Sequence, residues 1–184
     1  MAGKISLLMF LIFSVSDICA QHSPVPAGVI LNDAYATARK ENKKVFVLFH
    51  ASWCTWCKKM DSSMNDASCK KLFDDNYVTR HLVVYEENDK KNLETPGALE
   101  LLSKYKGEKL GLPYWIIFDV NGNLIGEARM PSPPGDEYGK STGCPAFKEE
   151  VDYFIDILKK TSRLTDEELE IIRKRFQKNE VKYK

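Results

Sequence analysis

The sequence predicts an α/β fold, a sheet covered on both faces by helices. Three observations carry this expectation. Val45-Phe46-Val47-Leu48-Phe49 is an unbroken apolar run of β-branched and aromatic residues, the pattern of a strand buried on both faces. Asn121-Gly122 stands between Tyr114–Asp119 and Asn123–Ala128 and marks a hairpin. Ala146–Lys160 brings Phe147, Val151, Phe154, Ile155 and Leu158 to one helical face. A strand–helix–strand half followed by a hairpin and a helix builds such a sheet.

In chain order, Ala27–Asn42 has Ile30, Leu31, Ala34, Tyr35 and Ala38 at helical spacing, and Lys43-Lys44 supplies positive charge at its C-terminal end. The strand Val45–Phe49 runs into His50-Ala51-Ser52-Trp53, and a helix begins at about Cys54. Asp66 is a good N-cap and predicts a further helix carrying Cys69, Leu72 and Phe73. Tyr77–Tyr85 reads as a second strand, and the charged stretch Glu86–Thr95 as a loop. Pro96 suits the first turn of a helix reaching Tyr105. After the hairpin, Arg129–Pro145 is a Pro-, Gly- and Ser-rich loop of about 17 residues, long enough to suggest a function. Beyond Ala146–Lys160, Thr165 and Glu168 form a capping box for a last helix to about Gln177.

With 184 residues the chain has room for one ordinary domain. At 43% hydrophobic and 29% charged residues it can offset its conformational entropy, which excludes a disordered chain. The net charge of +1 gives no basic stripe, so no nucleic-acid partner is expected. Five cysteines are too few for a disulfide-built scaffold. Met1–Ala20 has Lys4, an apolar stretch from Ile5 to Val15 and small Ala20, the pattern of a secretory signal peptide cleaved after Ala20. The apolar stretch is short for a membrane span. An uncleaved anchor, or lipidation at Cys19, are the alternatives. Cleavage leaves Cys54, Cys57, Cys69 and Cys144 outside the cytosol, where disulfides persist. The last residues carry no ER-retention signal, so periplasm or cell exterior is the expected location. The organisation read from this is signal peptide 1–20, leader 21–26, main domain 27–160 and helical extension 161–184.

Cys54-Thr55-Trp56-Cys57 sits where a buried strand ends and a helix begins, which gives a generic Cys-x-x-Cys pair its meaning. Free N–H groups and the positive dipole end at a helix N-terminus stabilise a thiolate at Cys54, the nucleophilic form of cysteine. Cys57 lies one turn on, placed to close a disulfide with it. An exposed Cys54 would attack a substrate disulfide and Cys57 would resolve the mixed disulfide. An inert disulfide is a second reading, although so short a loop restricts the unfolded chain little. His50, Cys54 and Cys57 could serve a metal, but structural zinc needs a fourth ligand and no second cluster is in view, so no metal is expected. Lys58 stands where a haem-attachment motif needs His.

Val45–Met60 and Gly111–Gly126 together resemble the thioredoxin-like superfamily. The first block has its strand–Trp-Cys-x-x-Cys-Lys–helix signature, and the second its Gly-hydrophobe-Pro segment, strand, Asn-Gly turn and strand. The resemblance covers about Ala27–Lys160 and is similar in spacing to secreted members and to the C-terminal domain of the thiol reductase DsbD. It implies a central mixed sheet flanked by helices, here with an extra C-terminal helix. It also implies that Pro113 is a cis proline facing the cysteine pair, and that the backbone of Leu112 pairs with an extended substrate. Two departures stand out. Leu48 occupies the place of a buried acid six residues before Cys54, so another group or water must take the Cys57 proton. The dipeptide between the cysteines is Thr-Trp, without the His that would stabilise a Cys54 thiolate further.

The function expected is that of a thiol–disulfide oxidoreductase outside the cytosol, a reductase or isomerase rather than an oxidase. It would act as a monomer on protein disulfides without a small-molecule cofactor, fed by a membrane or periplasmic thiol donor. The alternative is a binding module whose cysteine pair only regulates it. Trp53 and Trp56 would form an apolar platform for a protein substrate, Trp53 also packing under the active-site turn and Trp56 exposed. Trp115 is expected in the core. His50 has an edge or packing role ahead of proton relay. Cys69 is expected to face the core, and Cys144 to be part of the loop, a third redox thiol or a partner for Cys69 being the alternatives.

Overall fold

The computed structural model describes residues 24–132, 134–136 and 139–180. The segment expected to be a signal peptide, its expected cleavage site and Cys19 lie outside the described residues.

The sheet is mixed and four-stranded, in the order β2-β1-β3-β4. Its strands are β1 (Lys44–His50), β2 (Tyr77–Val83), β3 (Tyr114–Phe118) and β4 (Leu124–Glu127). β1 runs parallel to β2 and antiparallel to β3, and β3 pairs antiparallel with β4. A parallel neighbour needs a crossover, which α2 (Thr55–Met64) and α3 (Lys70–Asn76) provide. The remaining helices are α1 (Ala27–Glu41), α4 (Ala98–Lys104), α5 (Lys148–Thr161) and α6 (Asp166–Gln177).

Val45 through Phe49 are all buried, as expected of a strand covered on both faces. Alternation sends them to the two faces of the sheet, which share one continuous core. On one face Phe49 meets Tyr114, and Phe118 meets Tyr35 of α1 and Tyr105 at the end of α4. On the other, Phe46 and Trp115 pack with Phe73 of α3 and Phe154 of α5, and Phe176 of α6 joins them. Each such aromatic contributes about 1.5–3 kcal/mol by burial. α6 therefore buries Leu169, Ile172 and Phe176 in the same core as α5. Gly126 is required where α5 crosses β4: a Cβ there would lie 2.6 Å from the Ile157 methyl group.

Several elements differ from expectation. The helix foreseen at Asp66 starts at Lys70. The Asp66 carboxylate instead caps a preceding turn, accepting from the Ser68 N–H at 3.0 Å and hydroxyl at 2.7 Å. The charged stretch after β2 contains a 3-10 turn, Asn88–Leu93, and Pro96 lies outside α4, whose N-cap is Gly97. Phe147 is not on the buried face of α5 but at its N-cap, 51% exposed. The long loop is tied at its base by an Arg129–Ser141 bridge and by Thr142 N–H donating to Ala128 O at 2.9 Å. No helix among the described residues is long and apolar enough to cross a membrane.

Candidate active site

β1 delivers the chain to a tight turn, Ala51–Trp53, and α2 starts immediately after it. Cys54 is the N-cap of α2, and its Sγ accepts the Cys57 N–H at 3.1 Å. That N–H is one of the free donors every helix start must satisfy, and here a sulfur satisfies it. Cys54 and Cys57 form a disulfide, with Cα atoms 5.3 Å apart. The exposure expected of Cys54 is not found in this oxidised form: Cys54 is 2% and Cys57 4% exposed. Both pack with Ala51 in a small apolar cluster that Leu112 covers. The Leu112–Pro113 peptide bond is cis.

Around this cluster three large apolar side chains reach solvent. Trp53 is 50% exposed, Trp56 39% and Phe147 51%. The Trp53 indole N–H donates to Tyr85 O at 2.8 Å, so its ring is held rather than loose. The Lys59 ammonium sits 4.3 Å from the Trp56 ring centre, a cation–π contact. Trp56, Leu112, Thr142, Gly143, Cys144 and Phe147 line a mainly apolar groove of about 190 Å³ beside the disulfide. Trp115 is fully buried, and its indole N–H donates to Gly143 O at 3.1 Å, pinning the groove wall from the core side.

Cys144, expected as ordinary loop, is 5% exposed in that wall, and burial pushes its thiol up to about 12. Cys69 is buried as expected, and burial raises its thiol above the ordinary value. Both are free thiols. Leu48 is 2% exposed and purely core.

A carboxylate does stand behind the turn, but it comes from another part of the chain. Glu86, beyond the end of β2, is 4% exposed and accepts from the Ser52 N–H at 2.5 Å and the Ser52 hydroxyl at 2.7 Å. Burial would raise its pKa, and the two Ser52 bonds, with the charges of Lys90 and His50, outweigh that and hold it below the usual carboxylate value. The only sequence sign of Glu86 was a polar residue ending an apolar strand. Half-buried His50 meets His81 edge-on at 5.3 Å, and His81 bonds Asp61 at 2.7 Å. Burial first, then the His81 charge, lower the His50 pKa, against Asp61 and Glu86. No cluster of three or more His, Cys, Asp or Glu among the described residues is placed to hold a metal ion.

Comparison with known proteins names the architecture. The family model described as Thioredoxin-like matches residues 29–119. No curated protein matches the chain. Among solved structures, a disulphide isomerase from Xylella fastidiosa is 22% identical, over 55% of this chain and 72% of its own, with a TM-score of 0.46. The oxidised C-terminal domain of DsbD from Neisseria meningitidis is 20% identical, over 75% of this chain and 98% of its own, with a TM-score of 0.43. A thioredoxin from Thermus thermophilus is 22% identical, over 57% and 74%, with a TM-score of 0.39.

Proposed function

Because the chain belongs to the thioredoxin-like superfamily, we propose that it is a thiol–disulfide oxidoreductase working outside the cytosol on protein substrates. The observation that carries this reading is the disulfide at the start of α2, where the Cys57 N–H bonds Cys54 Sγ and Leu112 covers both sulfurs' residues. A structural disulfide needs neither a helix N-terminus nor a ring of exposed aromatics. A nucleophilic sulfur uses both.

In the reducing direction, the Cys54 thiolate attacks one sulfur of a client disulfide. The client S–S bond breaks, its other sulfur leaves as a thiolate and takes a proton from water. Cys57 then gives its proton to solvent or a nearby base and attacks the Cys54 sulfur. This releases the second client thiol and closes Cys54–Cys57. Two electrons have passed to the client. A membrane or periplasmic dithiol donor restores the pair by the same exchange. The helix start and the Cys57 N–H stabilise the Cys54 thiolate. Trp53, Trp56, Leu112 and Pro113 receive the client chain. Reduction or isomerisation is favoured over oxidation, because no His between the cysteines adds to thiolate stability. The organisation proposed is a signal peptide removed after Ala20, a leader 21–26, a catalytic domain 27–160 and a helical extension 161–184.

The test is trapping in the native compartment. Cys57→Ser is expected to accumulate mixed disulfides with client proteins, resolved by reducing agent on gels, and Cys54→Ser to accumulate none and lose exchange. Full partner binding and phenotype in Cys54→Ser, with nothing trapped by Cys57→Ser, would instead make the domain a binding module built on the exposed Trp53, Trp56 and Phe147.

A further inference from the structure

Asn179 lies just past the end of α6 and is 6% exposed. Its carboxamide joins three parts of the fold. Nδ2 donates to Ser63 Oγ of α2 at 3.0 Å and to Pro145 O at 3.2 Å, and lies 3.5 Å from Cys144 Sγ. Oδ1 accepts from the Arg175 guanidinium at 3.2 Å. The donor count closes: one N–H reaches the Ser63 hydroxyl, and the other is shared between Pro145 and Cys144. Ser63 is fully buried and donates its own proton to Lys59 O at 2.8 Å. Arg175 also binds Asp66 at 2.8 Å, ahead of α3.

The two sides joined by Asn179 are the two walls that matter for exchange. α2 carries Cys57 and Trp56. The Gly143–Phe147 segment forms the opposite wall of the groove beside the disulfide. Trp115 holds that segment at Gly143, and Asn179 holds it two residues on, at Pro145.

We propose that Asn179 is a positioning residue for client binding: it brackets α2 to the Cys144–Pro145 segment and so fixes the width of the groove. This gives the C-terminal helix a task, and rests on the reading that the groove receives client chains. Asn179 does not touch the reacting sulfurs, so its loss acts on client affinity and leaves the chemical step intact.

Asn179→Asp separates the two sides. The carboxylate still accepts from Arg175 and from a reoriented Ser63 hydroxyl, but it has no N–H for Pro145 or Cys144. Two readouts apply. In the oxidised protein, Cys144 is alkylated with iodoacetamide, and Cys69 serves as reference for general loosening. Cys144 labelling is expected to quicken about tenfold, the size of one lost buried hydrogen bond, with Cys69 unchanged. With insulin as protein disulfide, KM is expected to rise about threefold to tenfold at constant kcat, and the rate with the small disulfide DTNB to stay unchanged. Asn179→Ala is expected to give the same split. Unchanged Cys144 labelling overturns the bracket. So does faster labelling of Cys144 and Cys69 together, or a fall in kcat at constant KM. A wild type that exchanges no disulfide, yet whose variant labels selectively at Cys144, overturns the role in client binding and puts the failure in the proposed activity, not in the bracket.

Discussion

Ser52 gives both its backbone and side-chain donors to a single carboxylate, Glu86, and this pair fixes the turn that presents Cys54. Hydrogen bonds to a charged acceptor contribute about 1.5–3 kcal/mol, more than neutral ones. Glu86→Gln keeps the shape but removes the charge, and its amide oxygen serves the two donors less well. It is expected to cost about 1–2 kcal/mol in urea unfolding near neutral pH. The pH sign follows from the lowered Glu86 pKa. The contribution is complete above the ordinary carboxylate value and is lost as pH falls below it, so the wild-type advantage over Glu86→Gln should shrink on acidification. Glu86 also shows where single residues escape a reading of the sequence. Leu48 rightly announced that the local acid was gone, but nothing near Cys54 announced that an acid would arrive from beyond β2. Such pairings are set by strand register, here His50 beside Val83, which no local pattern encodes.

Among the elements, the turn ahead of α3 carries the clearest pH-dependent contact. Asp66 is held at about 2 by the Ser68 hydroxyl and N–H and by Arg175 of α6. Its folded value lies below its ordinary one, so its contribution is whole above about pH 5 and is lost as pH falls from about 4 to about 2. In Asp66→Asn the difference in urea midpoint between about pH 6 and about pH 3 is expected to be smaller than in wild type. The same residue explains a misreading. Asp is a strong N-cap, and the sequence suggested a helix there. The carboxylate capped a turn instead, because Ser68 supplied nearer donors and α3 began one turn later. Elements defined by long apolar runs came out close to the reading: β1, β3 and, apart from Phe147 at its start, α5, together with the Thr165–Glu168 capping box of α6. The loop Arg129–Pro145 was legible as a loop, but its Thr142–Pro145 end was not legible as a groove wall, since Asn179 and Trp115 reach it from other elements.

For the molecule as a whole, the open quantity is the direction in which electrons flow. An oxidising pair requires a strongly stabilised thiolate. Thioredoxin and DsbA differ by about 150 mV, which is about 7 kcal/mol for two electrons. One N–H bond from Cys57 to Cys54 Sγ supplies about 1.5–3 kcal/mol of that, and Thr55-Trp56 adds no charged donor. The potential of Cys54–Cys57 in thiol buffers is therefore expected nearer ~−270 mV than ~−120 mV. A value near the latter would reverse the proposed direction. The same accounting says which part of the molecule a reader of sequence can see. The chemistry lies in four consecutive residues. The groove proposed to receive clients is assembled from α2, the Leu112–Pro113 segment, the loop after β4 and a residue past α6. That assembly has a consequence for the order in which the chain is made. A polypeptide emerging N-terminus first offers Cys54, Cys57 and Cys69 to its surroundings long before Leu112, Cys144 and Asn179 exist to cover or bracket them. Until those later segments have folded, the cysteine pair stands without the groove that we propose for client binding.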